Sequence, residues 1–176
     1  MKIFINAGHG GSDPGAVSKN GTKEKDITNN VAAFLAFELI KKGYKVEFFQ
    51  QERNITEVSA AEVTSNSDLF ISIHCNSFSN PSANGLEVLY YTKSKKGKAI
   101  AQTLQNALLS MTNLKDRGIK GRDDLHVLKR TLAPAVLIEL AFISNEKEEK
   151  MLLETPEVFA LGIAAGIEKI KKNKDL

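Results

Sequence analysis

Apolar residues recur along the chain in two rhythms: short near-continuous runs, and stripes spaced three and four residues apart. The runs Lys2–Asn6, Lys45–Phe49, Leu69–His74, Leu86–Tyr91 and Ala135–Leu140 are short and bounded by glycine or polar residues, so each predicts a strand. The last of them has the character of a strand covered on both faces. His126-Val127-Leu128 predicts a further short strand. Helical stripes lie between the runs. Ile27, Val31, Phe34, Leu35 and Leu39 mark one helix, closed by Lys41, Lys42 and Gly43. Ile100, Leu104, Ala107, Leu108 and Met111 mark a second. Phe159, Ile163, Ile167 and Ile170 mark a last one, opened by Thr155-Pro156. Asn54 with Glu57 predicts a short helix to Thr64, and Asn145 with Glu148 another. Gly8–Gly15 and Asn76–Gly85 read as loops, and residues 113–125 as charged and irregular.

Strands alternating with helices predict an α/β fold: a single domain with a mostly parallel twisted sheet covered by helices on both faces. Residues 1–172 are expected to form it, with 173–176 as a tail or the start of a linker. The 176 residues and 42% hydrophobic content suffice for one core. Lys and Arg number 24 against 21 Asp and Glu, a net charge of only +3, so no nucleic-acid partner is expected. No apolar run approaches the roughly 20 residues of a membrane span, and none resembles an export signal. One cysteine, Cys75, excludes an intrachain disulfide and a cysteine zinc finger. Only His9, His74 and His126 are available for histidine chemistry.

Open α/β sheets bind ligands at the carboxyl ends of their strands. His9 follows the first run, His74 ends the third, and Glu139 lies near the end of the fifth, so the three should converge on one edge of the sheet. Each has an ordinary alternative. His9 could serve a tight glycine turn, His74 could be a satisfied core histidine, and Glu139 could pair with a buried cation. A carboxylate inside Val-Leu-Ile-Glu-Leu-Ala-Phe is nevertheless costly to bury unless paired or metal-bound. Two histidines and a carboxylate are a common catalytic zinc set with one open position. Glu139 could be ligand or base, and Asp13, Glu24 and Asp26 all supply a second acid near His9; spacing does not choose among them.

A family resemblance does. Ile5-Asn6-Ala7-Gly8-His9-Gly10-Gly11-Ser12-Asp13-Pro14-Gly15-Ala16 resembles the opening motif of zinc-dependent N-acetylmuramoyl-L-alanine amidases, found among bacterial autolysins and phage endolysins. Glu24-Lys25-Asp26-Ile27 resembles their second motif, and Asp68-Leu69-Phe70-Ile71-Ser72-Ile73-His74-Cys75-Asn76-Ser77 their third. Val127-Leu128-Lys129 and the stretch Pro134–Asn145 resemble the last. The resemblance implies one zinc ion held by His9, Glu24 and His74, with Glu139 as the catalytic carboxylate. It implies cleavage of the amide between N-acetylmuramic acid and L-alanine of the peptidoglycan stem peptide. Asn6, Cys75 and His126 stand where the family usually has Asp, Ala and an aromatic residue, and Gln50–Ser65 lacks the usual arginine pattern.

The segments flanking the site suggest substrate contacts at Asn76, Arg117, Lys120, Arg122, His126 and Lys129, although a charged loop is more often simply solvated. The expected partner is peptidoglycan, met by a monomer. With no export signal in this chain, either cytoplasmic synthesis and release or excision from an exported autolysin is expected. The rival classes are a zinc peptidase cutting within the stem peptide, a non-catalytic wall-binding module, and a thiol enzyme pairing Cys75 with His126. The glycine loop lacks the spacing of a phosphate or dinucleotide site.

Overall fold

A computed structural model describes residues 1–50 and 66–173. The strands are β1 (Lys2–Ala7), β2 (Lys45–Gln50), β3 (Leu69–Asn76), β4 (Leu86–Tyr91), β5 (Asp116–Arg122) and β6 (Ala135–Phe142). The helices are α1 (Glu24–Lys41), α2 (Lys95–Thr112), α3 (His126–Lys129), α4 (Glu146–Glu154) and α5 (Pro156–Asn173). The helix predicted over 54–64 lies outside the described residues.

The six strands form one sheet in the order β2-β1-β3-β6-β4-β5. β2, β1, β3 and β6 run parallel, β4 runs antiparallel to β6, and β5 follows β4 in parallel. Successive side chains on a strand face opposite ways, and this splits the core in two. Ile3, Ile5, Leu69, Ile71, Ile73, Leu86, Val88, Val136, Ile138 and Leu140 line one face. Against them pack Ile27, Val31, Leu35 and Leu39 of α1, Ile100, Leu104 and Leu108 of α2, and Phe159, Ile163, Ile167 and Ile170 of α5. Almost all are fully buried, each contributing roughly 1.5–3 kcal/mol of transfer free energy. On the other face Phe4, Phe70, Leu89, Ala135 and Leu137 meet Leu128 of α3 and Ala133. The α/β sheet with helices on both faces is as expected: among the described residues the three long helices pack on one face and α3 on the other. Among the described residues no helix is long and apolar enough to cross a membrane.

Two local expectations are corrected. Residues 116–122, expected to be irregular, form edge strand β5. Its sequence Asp-Arg-Gly-Ile-Lys-Gly-Arg has one apolar side chain, and the backbone ladder to β4 makes the strand rather than burial. His126-Val127-Leu128 is a helical turn, not a strand, with Leu128, Lys129 and Arg130 bonding back to Leu125 and His126. Three residues are too few for periodicity to tell the two apart. The helix starts are close to expectation. Asn145 Oδ1 accepts from Lys147 N (3.1 Å) and Glu148 N (3.2 Å), a cap worth about 1 kcal/mol.

α5 crosses α2 closely because it presents glycine there. A Cβ on Gly166 would lie 2.7 Å from Leu104 Cδ2 and 3.3 Å from Leu104 Cα. Gly166→Val is therefore expected to cost about 1–3 kcal/mol of stability in denaturant or thermal unfolding. An unchanged midpoint would contradict the close packing.

Candidate metal centre

The site begins where β1 runs out. Gly8 N donates to Ile73 O (2.8 Å), keeping the loop beside β3. His9 then adopts a left-handed backbone conformation (φ 63°), which turns its ring back over the sheet end. The turn closes by reciprocal bonds between Gly10 and Asp13 (3.0 and 2.9 Å). Asp13 accepts from Gly15 N (2.9 Å) and lies 2.9 Å from His9 Nδ1, so the ring presents Nε2 inward.

The same loop starts α1. Lys23 at the helix entry offers no side-chain cap; instead Glu24 N donates to Ala16 O (2.9 Å) and Lys25 N to Pro14 O (3.1 Å). Thr28, one turn on and fully buried, donates its hydroxyl to Gly8 O (2.7 Å). Glu24, the first residue of the helix, is thereby carried over the end of the sheet. It is 3% exposed. Its Oε2 accepts from Ala16 N (2.9 Å) and lies 3.2 Å from His9 Nε2; its Oε1 accepts from Cys75 N (2.8 Å) and lies 3.1 Å from His74 Nδ1. Ligand atoms of His9, Glu24 and His74 all fall within 4.8 Å of one another.

Glycines make the room. A Cβ on Gly8 would sit 2.4 Å from His74 Cε1, and one on Gly15 would sit 2.6 Å from His9 Cδ2 and 2.7 Å from Glu24 Oε2. The electrostatics follow from burial and proximity. The Glu24 bond raises the pKa of His9 to about 9, against an opposing desolvation and with help from Asp13. Burial works against Glu24 ionising, but hydrogen bonds from His74 and His9 outweigh it and hold the carboxyl well below the usual range. Burial, seconded by Glu24, pushes the Cys75 thiol well up, so this cysteine is no nucleophile.

Glu139 sits beside His74 in the β3–β6 register. Its Oε2 is sealed from solvent and has no hydrogen-bond partner among the described residues. Burial pushes its pKa up to about 7, with Glu24 and Glu87 adding to the rise and the two histidines opposing it. By strand alternation Asn6, Ser72, His74, Glu87 and Glu139 all lie on the face of Phe4, Phe70 and Leu137, while Glu24 comes from α1 on the opposite face. The centre therefore straddles the sheet rim and continues onto that face, rather than sitting on an edge alone. Two imidazoles, a shared carboxylate and an unpartnered buried oxygen beside them fit a zinc-type donor set.

Glu87 is absent from the sequence reading. It faces Glu139 across the β4–β6 pair, is 8% exposed, and accepts from Asn76 Nδ2 (3.0 Å) and Arg117 Nε (2.8 Å). Arg117 also lies over the Phe142 ring (4.8 Å). Asn76 and Arg117 thus meet at the site's flank. Lys120 and Arg122 lie farther along β5, opposite Leu89 and Tyr91, and Arg122 is gripped by Asp124 (2.8 and 2.6 Å). His126 and Lys129 are the two ends of α3, which packs through Leu128 on the face of Phe4, Phe70 and Leu137. An acid on a strand of mixed polarity gives no warning of burial, which is why Glu87 escapes a pattern reading.

The profile described as N-acetylmuramoyl-L-alanine amidase matches residues 3–169. A probable cell wall amidase, LytH of Staphylococcus epidermidis, is 38% identical over 152 residues, covering 85% of this chain and 50% of its own length. The chain spans about half the length of the curated relatives it matches in that group. An N-acetylmuramoyl-L-alanine amidase from Clostridium difficile 630 superposes with TM-score 0.88 at 31% identity, covering 98% of this chain and 97% of the other. The catalytic domain of CwlV, an amidase of Bacillus (Paenibacillus) polymyxa, gives TM-score 0.89 at 31% identity, with 97% and 98% covered.

The glycine cradle yields a test. Gly8→Ala forces the His74 ring aside, so zinc affinity measured by chelator competition is expected to fall about tenfold or more while the circular dichroism spectrum is kept. Wild-type affinity in Gly8→Ala would contradict the geometry.

Proposed function

The chain belongs to the N-acetylmuramoyl-L-alanine amidase family, and on that premise we propose that it is a zinc-dependent peptidoglycan hydrolase. It cleaves the amide between the lactyl group of N-acetylmuramic acid and the L-alanine of the stem peptide. The observation that carries this reading is the His9–Glu24–His74 donor set lying next to the unpartnered Glu139 oxygen.

His9 through Nε2, Glu24 through its carboxylate and His74 through Nδ1 would hold the ion. When bound, zinc supplies a Lewis acid for the scissile carbonyl and makes water acidic enough to attack near neutral pH. The rest is the work of the chain's own residues. Asp13 holds His9 in the tautomer that leaves Nε2 free. The Ala16 and Cys75 N–H groups fix both oxygens of Glu24, so the carboxylate cannot swing when a ligand arrives. Glu139 takes a proton from the attacking water and delivers it to the departing amine. A carboxyl with a pKa of about 7 is suited to both halves of that transfer.

Asn76 and Arg117, tethered to Glu87, are the substrate contacts nearest Glu139; the side chains of Lys120, Arg122, His126 and Lys129 extend the contact surface away from it. Residues 1–172 form the catalytic domain. It acts on the cell wall as a monomer, with neither nucleic acid nor membrane as partner.

Digestion of purified peptidoglycan tests the reaction. The expected products carry new L-alanine amino termini and no new reducing ends. Termini at other stem residues would replace the amidase reading with a peptidase. Glu139→Gln tests the proton-transfer role: zinc content is expected to stay at wild-type level while kcat falls by about 10²–10⁴. Full turnover in Glu139→Gln would defeat the role given to Glu139.

A further inference from the structure

We infer that Glu149 is a positioning residue for the metal ligand Glu24, acting through the hairpin that carries the chain from the His9 loop into α1. The hairpin is defined by the Val17–Lys23 bridge and the bond from Ser18 N to Thr22 O (2.9 Å). Ser18 Oγ accepts from Asn20 N (3.0 Å) and Thr22 N (3.1 Å), gathering the turn around one hydroxyl. That hydroxyl donates to Glu149 Oε1 (2.6 Å). Thr22 Oγ1 donates to the same oxygen (2.5 Å), and Asn20 Nδ2 to Oε2 (2.7 Å).

Glu149 is 4% exposed, and its carboxylate is satisfied by three neutral side-chain donors of one hairpin, with no ion pair among the described residues. A buried charge is unfavourable unless it is fully hydrogen-bonded, so this arrangement is more than a solvated helix face. The hairpin in turn grips the ligand. Ala16, the residue before it, donates its N–H to Glu24 Oε2 and accepts from Glu24 N (2.9 Å each). Hydrogen bonds thus hold the hairpin to Glu149 at one end and to the ligand carboxylate at the other, with the backbone through Val17 and Lys23 joining the two.

The other end of this set is equally fixed. Glu148, the neighbouring residue, accepts from Phe142 N and Gly85 N (2.7 Å each). It ties α4 to the end of β6, the strand of Glu139, and to the end of the loop that follows His74. Two adjacent carboxylates on α4 therefore set the loops on both sides of the centre against one helix.

The inference rests on the zinc reading above. The test compares zinc affinity of the full chain, by chelator competition at fixed pH, with thermal midpoints. Glu149→Ala is expected to bind zinc about tenfold more weakly. Glu149→Gln keeps an acceptor for Ser18 and Thr22 and is expected to recover most of that loss. A folded Glu149→Ala with wild-type zinc affinity, whatever its midpoint, would overturn the inference and leave Glu149 a merely structural residue. If Glu149→Ala does not fold, Asn20→Ala and Thr22→Val each remove one arm; unchanged affinity in both overturns it equally, and weakened affinity in both supports it. A wild-type chain that binds no zinc defeats the zinc reading itself, and the inference with it.

Discussion

The buried carboxylate of Glu24 is the constraint on which the site depends. At 3% exposure it cannot be left unpaired, and four groups from two parts of the chain converge on its two oxygens. Ala16 and His9 come from the loop after β1, and Cys75 and His74 from the end of β3. Satisfying this one side chain therefore fixes the entry of α1, the curl of the glycine loop and the orientation of two imidazoles at once. The glycines follow from the same demand, since Gly8 and Gly15 lie where any side chain would strike the rings or the carboxylate.

The sheet makes that convergence usable. Parallel β1, β3 and β6 bring their carboxyl ends to one rim. Crowding α1, α2 and α5 on one face leaves the opposite face with little cover beyond α3 among the described residues. His74, Glu139 and Glu87 lie in rows on that face, continuing Phe70, Leu137 and Leu89 from the apolar interior to the polar rim.

Much of this is legible in the sequence, for identifiable physical reasons. His74 and Glu139 stand out because titratable side chains inside apolar runs are expensive to bury, and long helices stand out by their spacing. Glu24 does not separate from Asp13 and Asp26 on spacing, because what distinguishes it is a pair of backbone N–H groups supplied by distant residues. β5 is invisible to a hydrophobic pattern because an edge strand is held by its ladder. Glu148 and Glu149 sit in Glu146-Lys147-Glu148-Glu149, which reads as a solvated helix start; only the packing of the 17–23 hairpin and Gly85 against α4 shows them to be buried.

The most direct measurement of the central claim is anomalous diffraction at the zinc absorption edge from crystals of the zinc-loaded chain. One peak is expected, in contact with His9, Glu24 and His74 and adjacent to Glu139. Absence of a peak there, or full-occupancy zinc bound by other residues, would contradict it.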